Sequence, residues 1–476
     1  MEMKSKNLVP IAIILIEAIV LGFAISEWNL YSACPGDEGY ITDEVWYVSS
    51  ARNMLTLLFG LQPKPSGSRV TATIELPVKP NLSDIIKVAT QYNITLLKTN
   101  YEKINAIYIA APDMTSLNLF ARNLSATRIV LGYKYKDVDF ILTYLNTEHP
   151  PLVKYFIALS MLLIGDYPMS WRIPSIIAGS LTILLTALLI SKLIENYWAG
   201  VFAAILLAID PLFRAMSGVA LLDIFVSLFV VASLYMAYNR RFGAAGILLG
   251  AAIASKFSAV FSVIPLWITM TRRGAQVSDI IRLGIVVPIL IFILISMPMI
   301  ATLGVNRWMS ESVIGAIKWH TQSKHEAGQG PPVSAPWQWI TGENSFWLHI
   351  NPNIVARGNG ALYTFVALIS ILAAVLLIDK EYIFLTMLWL WGTWAGYVVL
   401  WIIGNRTQYS FYAIHIAPLI YIALITYVFK ILADEFTFRE IMRRWYLVLT
   451  RLYISFIKFM KWLLWGETLG VKESAE

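Results

Sequence analysis

Residues 151–165 read PLVKYFIALSMLLIG, and whether this stretch crosses a membrane decides the topology of the whole chain. At roughly fifteen residues it falls short of the ~20 that a helical span needs, and it suits a helix lying in or dipping into the bilayer. If it does not cross, Arg240, Arg241, Arg272, Arg273, Arg282, Lys380, Lys430, Arg443 and Arg444 all fall on the side of the N-terminus. If it does cross, most of these cations change sides and the positive-inside rule is broken repeatedly. The stretch is therefore read as membrane-lying. Loops 27–171, 215–218, 304–359 and 404–409 then share the outer face.

Composition sets the solvent. Of 476 residues, 58% are hydrophobic and 14% charged, whereas soluble domains carry about 25% charged residues. Candidate spans are 8–26, 172–192, 198–214, 219–238, 243–256, 258–271, 280–303, 360–379, 382–403 and 410–430. The pair 243–256 and 258–271 is short for two spans and suits broken helices. Segment 444–465, with Arg451, Lys458 and Lys461, is either an eleventh span or a cationic interfacial helix. The expectation is a polytopic α-helical membrane protein of about ten or eleven spans. The net charge of +7 sits mostly in short loops, where it sets orientation, and nucleic acid is not expected as a partner. A lone cysteine, Cys34, excludes an internal disulfide framework and a multi-cysteine metal site. The first apolar run is read as an uncleaved anchor, because no convincing small-residue cleavage site follows it.

Residues 66–140 have ordinary soluble composition. Arg69 to Leu76 alternates like a strand, Ser83 to Tyr92 has helical spacing, Ile104 to Ala110 is a second strand and Thr115 to Asn123 a second helix. A small α/β domain inserted in the first outer loop follows. The chain divides into 1–65 (first span and start of the catalytic loop), 66–140 (insertion) and 141–171 (membrane-lying helix). Next come 172–303 (transmembrane core), 304–359 (outer loop), 360–430 (last spans) and 431–476 (cationic helix and tail). Asn81, Asn93, Asn123 and Asn405 each begin an N-x-Ser/Thr sequon on the assigned outer side, a consistency check only.

Polar residues gather where outer loops meet the membrane: Asp43, Glu44, Glu148, His149, Lys154, Arg172, Asp223 and Arg406. Ionisable groups at membrane depth are costly, and those kept there usually face a cavity with a task. Carboxylates that take a proton from a hydroxyl, with cations that hold a phosphate leaving group, suit one reaction type. Each residue also has a plainer reading. Asp43 and Glu44 could be solvated loop charges, and Lys154 and Arg172 could snorkel to headgroups. Asp223, alone in the run 219–238, needs a partner or water. His149, His320 and His325 with Glu148 fit no compact metal motif, so no metal site is expected and a divalent cation stays a secondary option.

The order of these residues resembles the protein O-mannosyltransferases that use a polyprenyl-phosphate mannose donor, members of the GT-C superfamily. Thr42-Asp43-Glu44-Val45 stands where that family has an Asp-Glu pair after the first span. His149-Pro150-Pro151-Leu152 with Lys154 is similar to its His-Pro-Pro-Leu-x-x-Lys motif, one residue shorter. Trp171-Arg172-Ile173-Pro174-Ser175 resembles its Arg-x-x-Ser segment. Asp210-Pro211-Leu212-Phe213 through Leu221-Leu222-Asp223 follows its Asp-Pro-Leu-Phe…Leu-Leu-Asp stretch. Trp319-His320, the run Pro332 to Trp339, and Asn405-Arg406 followed by Phe411, Tyr412 and His415 resemble its later elements. Trp46 departs from the polar residue usual there. Glu148 adjoins His149 instead of preceding it by two, which is closer to the Glu-Lys-Pro-Pro of bacterial transferases that put an amino sugar on lipid A.

The resemblance implies a GT-C fold and inverting transfer of mannose to Ser/Thr hydroxyls on the outer face. Asp43 would be the acid closest to the acceptor, beside Glu44, and Arg172 would hold the lipid phosphate, with Lys154 and Arg406 assisting. Glu148, His149, Asp223 and His320 would support the site. Expected partners are the polyprenyl-phosphate sugar, a protein or lipid acceptor and the bilayer, and a dimer is compatible. The chain ends Lys472-Glu473-Ser474-Ala475-Glu476 without a retrieval signal, which favours a prokaryotic plasma membrane over the endoplasmic reticulum. A secondary transporter would also bury charges in a bundle, but no paired similar halves are visible.

Overall fold

The computed structural model describes residues 8–34, 36–79, 81–322 and 331–465. Helix α1 (Val9–Ser32) is 24 residues long, enough at ~1.5 Å per residue to cross ~30 Å of hydrocarbon. A tight loop then leads into α2 (Glu44–Asn53), which continues in wider turns to Leu58.

Residues 70–131 form a four-stranded antiparallel sheet with two helices. The chain order is β1 (Val70–Glu75), α3 (Leu82–Gln91), β2 (Thr95–Lys98), β3 (Ala106–Ala111), α4 (Met114–Asn123) and β4 (Arg128–Leu131), and the spatial order is β2-β3-β1-β4. This is the split βαβ arrangement. Alternation along β1 and β3 buries Ala72, Ile74, Ile107 and Ile109 beneath Ile85, Ala89, Leu117 and Phe120 of the two helices. The other face of the sheet, through Ala106, Tyr108 and Val130, packs into the main core. Sequence alternation points to the two central strands. The edge strands β2 and β4 hold only four residues each, too few to show it.

Helix α5 (Leu152–Leu163) is 12 residues long and packs between α2 and α6 (Pro168–Ile194). The expected span at 198–214 is a bent pair, α7 (Tyr197–Ala208) and α8 (Pro211–Ser217), turned by 71°. Pro211 has no N–H to continue α7, and the Asp210 carboxylate instead accepts from Phe213 N at 2.8 Å to start α8. Helix α9 (Asp223–Tyr238) begins four residues later than periodicity suggests, because Ala220 N is turned away to a carboxylate described below. Helices α10 (Phe242–Ser255) and α11 (Phe257–Arg272) are separated at Lys256, whose backbone is extended.

Helix α12 (Val277–Leu303) is followed by a helical arm over 305–322. A short helix α13 (Gln338–Thr341) and the hairpin β5 (Phe346–His349)–β6 (Ile354–Ala356) fill the loop before α14 (Gly360–Leu376). Helices α15 (Glu381–Ile402), α16 (Ala417–Leu432) and α17 (Glu435–Trp465) complete the chain, with α17 bent 92° from α16. Every expected apolar segment is helical. Among the described residues, by length and composition, four helices suffice to span a membrane, or six if each bent pair is one span, and five shorter apolar helices accompany them.

The loops expected on one face do meet. Thr147 donates to Glu311 (3.1 Å), Ser334 N to the Gln408 carbonyl (2.8 Å) and Phe346 N to Ser410 (2.8 Å).

Candidate active site

Asp43 and Glu44 sit side by side at the start of α2 and face different surroundings. Glu44 is wholly buried and its two oxygens accept four hydrogen bonds. They come from Ile41 N (2.8 Å), Ala220 N (2.9 Å) and Arg172 Nε and Nη2 (2.9 Å each). The remaining N–H groups of Arg172 go to the carbonyls of Tyr31 (3.1 Å), Cys34 (3.2 Å) and Gly39 (3.2 Å). A guanidinium has five N–H donors, and all are spent. A phosphate held by Arg172, as the sequence suggests, would have to displace one of these partners. Glu44 is its counter-ion, and together they tie α1, the 33–43 turn, α6 and the 218–222 turn into one knot.

Lys154 is occupied in the same way. Its buried ammonium donates to the carbonyls of Asn146 (2.6 Å), His149 (2.8 Å) and Leu145 (3.3 Å), so its three protons pin the loop before α5. Glu148 accepts from the Tyr144 hydroxyl and from Asn146 Nδ2 (2.9 Å) in that same loop. The His149 ring meets Tyr47 edge-on at 5.7 Å. A second buried pair, Arg52 with Asp166 (2.5 and 3.0 Å), also receiving Trp171 Nε1 (2.6 Å), fixes α2 against the start of α6.

Asp223 lies in different company. It starts α9 and accepts from Lys256 Nζ at 2.7 Å, while His415 Nε2 stands 3.1 Å away. The Tyr397 hydroxyl bonds the other ring nitrogen of His415. Lys256 Nζ also sits 4.0 Å from the centre of the Tyr412 ring. Asp43 is in the field of this cluster. Enclosure by protein pushes its carboxyl up to about 6, with Lys256 pulling it down and Asp223 pushing it up.

Lys256 opens onto a cavity of about 360 Å3 between α10, α11, the 305–322 arm and the 397–412 segment. Ile253, Phe257, Val260, Phe261, Ile317 and Leu400 make its walls apolar, and Lys256 with Ser258, Thr321, Asn405, Gln408 and Tyr412 supplies the polar groups. Gln408 donates through Nε2 to the Tyr397 carbonyl (3.0 Å), while its buried Oε1 accepts from no described group. Arg406, next in sequence to the lining residue Asn405, stacks on Trp401 at 4.6 Å and donates through one Nη to the Asn405 carbonyl (3.1 Å). A larger groove of about 600 Å3 between α14 and α15 has only apolar walls and Ser370, and offers nothing to a phosphate.

Of the expected site residues, Asp43, Asp223 and the Glu148–His149 loop gather on one side of α2. Glu44, Arg172 and Lys154 form the framework behind them. His320 lies in the helical stretch Gly315–Gln322 with its side chain outside the described part, and His325 is outside the described residues. Among the described residues no group of three or more His, Cys, Asp or Glu could hold a metal. The residue missed by sequence reasoning is Lys256. Its signal was available, since a lone cation between two short apolar runs is costly without a task.

Residues 148–301 match the family described as dolichyl-phosphate-mannose-protein mannosyltransferase. Polyprenol-phosphate-mannose–protein mannosyltransferases from two strains of Mycolicibacterium smegmatis are each 27% identical to this chain over 147 residues, 24% of this chain. The match spans 28% of those relatives' length. Among solved structures, ArnT from Cupriavidus metallidurans bound to undecaprenyl phosphate superposes with a TM-score of 0.51 at 12% identity. The superposition covers 92% of this chain and 63% of that one, a likeness of fold.

Proposed function

We propose that the chain, whose residues 148–301 match the dolichyl-phosphate-mannose-protein mannosyltransferase family, is a GT-C enzyme that transfers mannose from a polyprenyl phosphate to Ser/Thr hydroxyls on the outer face of a prokaryotic plasma membrane. The observation that carries this reading is the Asp43 carboxyl standing in the field of Lys256, which opens onto an apolar cavity. The prenyl chain lies against the apolar walls, and the phosphate meets the Lys256 ammonium with Arg406 as the outer cation. The ArnT neighbour holds undecaprenyl phosphate, a ligand of the same chemistry. Asp223 and His415 keep Lys256 in place, and the unpaired Gln408 carbonyl faces a sugar hydroxyl.

In the reaction, ionised Asp43 accepts the proton of the acceptor hydroxyl as its oxygen attacks the anomeric carbon. The bond from that carbon to the phosphate oxygen breaks, and its electron pair leaves with the polyprenyl phosphate. Attack opposite the leaving group inverts the anomeric configuration. Positioning and a fixed cation near the departing charge are the main contributions, and no metal is needed to make phosphate leave. The spans are drawn from the ten apolar segments, with 243–256 and 258–271 as short or broken helices, α5 lies in the membrane, and the 66–140 insertion sits over the catalytic loop to recruit acceptor or partner.

Purified protein supplied with radiolabelled polyprenyl-phosphate mannose and Ser/Thr peptides should label the peptides, and Asp43→Asn should not. Label appearing in a lipid product instead would move the acceptor to the lipid class, which the Glu148-His149-Pro150-Pro151 sequence also resembles. Donor neither bound nor consumed would overturn the reading.

A further inference from the structure

Helix α17 leaves the bundle sideways. Its predecessor α16 is buried along Ala417–Tyr427 in the centre of the helices, and α17 turns 92° from it, so it runs across the bundle axis. Among the described residues, protein contacts hold only its first turns. Ile441 is buried, Arg444 pairs with Asp379 and donates to the Val375 carbonyl (3.1 Å), and Trp445 Nε1 donates to the Leu372 carbonyl (2.9 Å). Beyond them Leu449, Leu452, Phe456, Phe459 and Leu463, at spacings of three and four, form one apolar stripe, each more than half exposed and covered by no described residue. Arg443, Arg451, Lys458 and Lys461 lie on the opposite side, and no acid follows Glu440 in the helix.

The root of α17 also belongs to a cationic end of the bundle. Arg273 pairs there with Glu381 and donates to the Tyr238 carbonyl (3.0 Å), beside Arg240, Arg241, Arg272 and Lys380. We propose that α17 is an interfacial helix that lays its apolar stripe into one leaflet and binds an anionic bilayer surface through its cations. A span would have to carry Arg451, Lys458 and Lys461 through hydrocarbon and run along the bundle, whereas α17 stands at 92° to α16.

The inference rests on the chain being a membrane protein and not on sugar transfer, so failure of the transferase assay leaves it standing. Single cysteines replacing Leu452, Phe459, Arg451 or Lys458 in the full chain can be labelled with a fluorophore, because Cys34 is buried. In nanodiscs, lipid-borne and aqueous quenchers then report depth. Labels at 452 and 459 should lie equally shallow in the acyl region, and those at 451 and 458 at the headgroups. Replacing a neutral phosphatidylcholine disc by one rich in phosphatidylglycerol should lower aqueous quenching at 452, in the variant that keeps Arg451, Lys458 and Lys461, by at least about fivefold, the factor one surface cation supplies. The variant Arg451→Gln/Lys458→Gln/Lys461→Gln, labelled at 452, should lose its own response to the anionic lipid. Depth that changes steadily from 447 to 463 would make α17 a span. Stripe labels shielded from both quenchers would give the stripe to protein, a second copy included. Either result, or full aqueous quenching of the stripe, overturns the proposal.

Discussion

Two charged clusters lie on either side of the first residues of α2, and they differ in what they leave unpaired. Behind the helix, Glu44 and Arg172 satisfy each other and five backbone groups, so that every N–H of the guanidinium is used. In front, Lys256 is shared between Asp223 and an open cavity, Asp43 is held by no described hydrogen bond through its carboxylate, and the Gln408 carbonyl is orphaned. A saturated cluster in a low-dielectric interior is a structural brace, because any change strands a buried charge. An unsaturated one is where a ligand can contribute the missing partners. Neighbouring residues in sequence therefore do different work. Glu44 is held in the brace, and Asp43 is the residue assigned to the reaction in the proposed function.

That contrast can be broken from either side. Loss of Asp43's carboxylate, in Asp43→Asn, should cut sugar transfer by roughly 10²–10⁴-fold, the range of a general base, while thermal unfolding is unchanged. A melting temperature that fell along with activity would put Asp43 in the brace. Arg172→Ala should do the reverse, destabilising the fold by about 3–5 kcal/mol because Glu44 is left charged and buried. Arg172→Lys should not rescue it, since an ammonium offers three donors where five are used. A stable Arg172→Ala protein with weakened donor binding would return this residue to the phosphate. Lys256→Gln should weaken donor binding by roughly 10–100-fold, from the loss of one charged hydrogen bond of about 1.5–3 kcal/mol. Equal binding by Lys256→Gln and wild type would empty the cavity of its assigned role. The smallest effect is expected of Arg406→Ala, a change in donor affinity of about fivefold or less, corresponding to the ~0.2–1 kcal/mol of an exposed pair and reduced by salt.

Much of the fold is visible in the chain because apolar length and period are local properties. Each of the ten apolar segments is helical, and the strands β1 and β3 carry enough alternation to be seen. The breaks are harder to place. Asp210-Pro211 marks the bend between α7 and α8 through ordinary capping chemistry, yet its 71° depends on Tyr421 (2.8 Å) and Tyr363 (3.1 Å), which hold the same carboxylate from distant helices. The site is legible as a list of charged residues at membrane boundaries. Their division into brace and working groups is not, because it turns on whether three backbone carbonyls converge on one cation. Nothing near Arg172 in sequence announces Tyr31, Cys34 and Gly39. Lys256 was overlooked for the opposite reason: it has no motif around it, only the break between two short helices.

The pH profile of transfer addresses the assignment of Asp43 most directly. A general base must be ionised, and the Asp43 carboxyl is pushed up to about 6, so its reactive form fills in as pH rises through that value. The donor is a phosphodiester and has no ionisation there. The account predicts that kcat/KM falls about tenfold per pH unit below ~6, is level above it, and that the residual rate of Asp43→Asn shows no such break. A profile without a break near 6, or one that persists in Asp43→Asn, would contradict it.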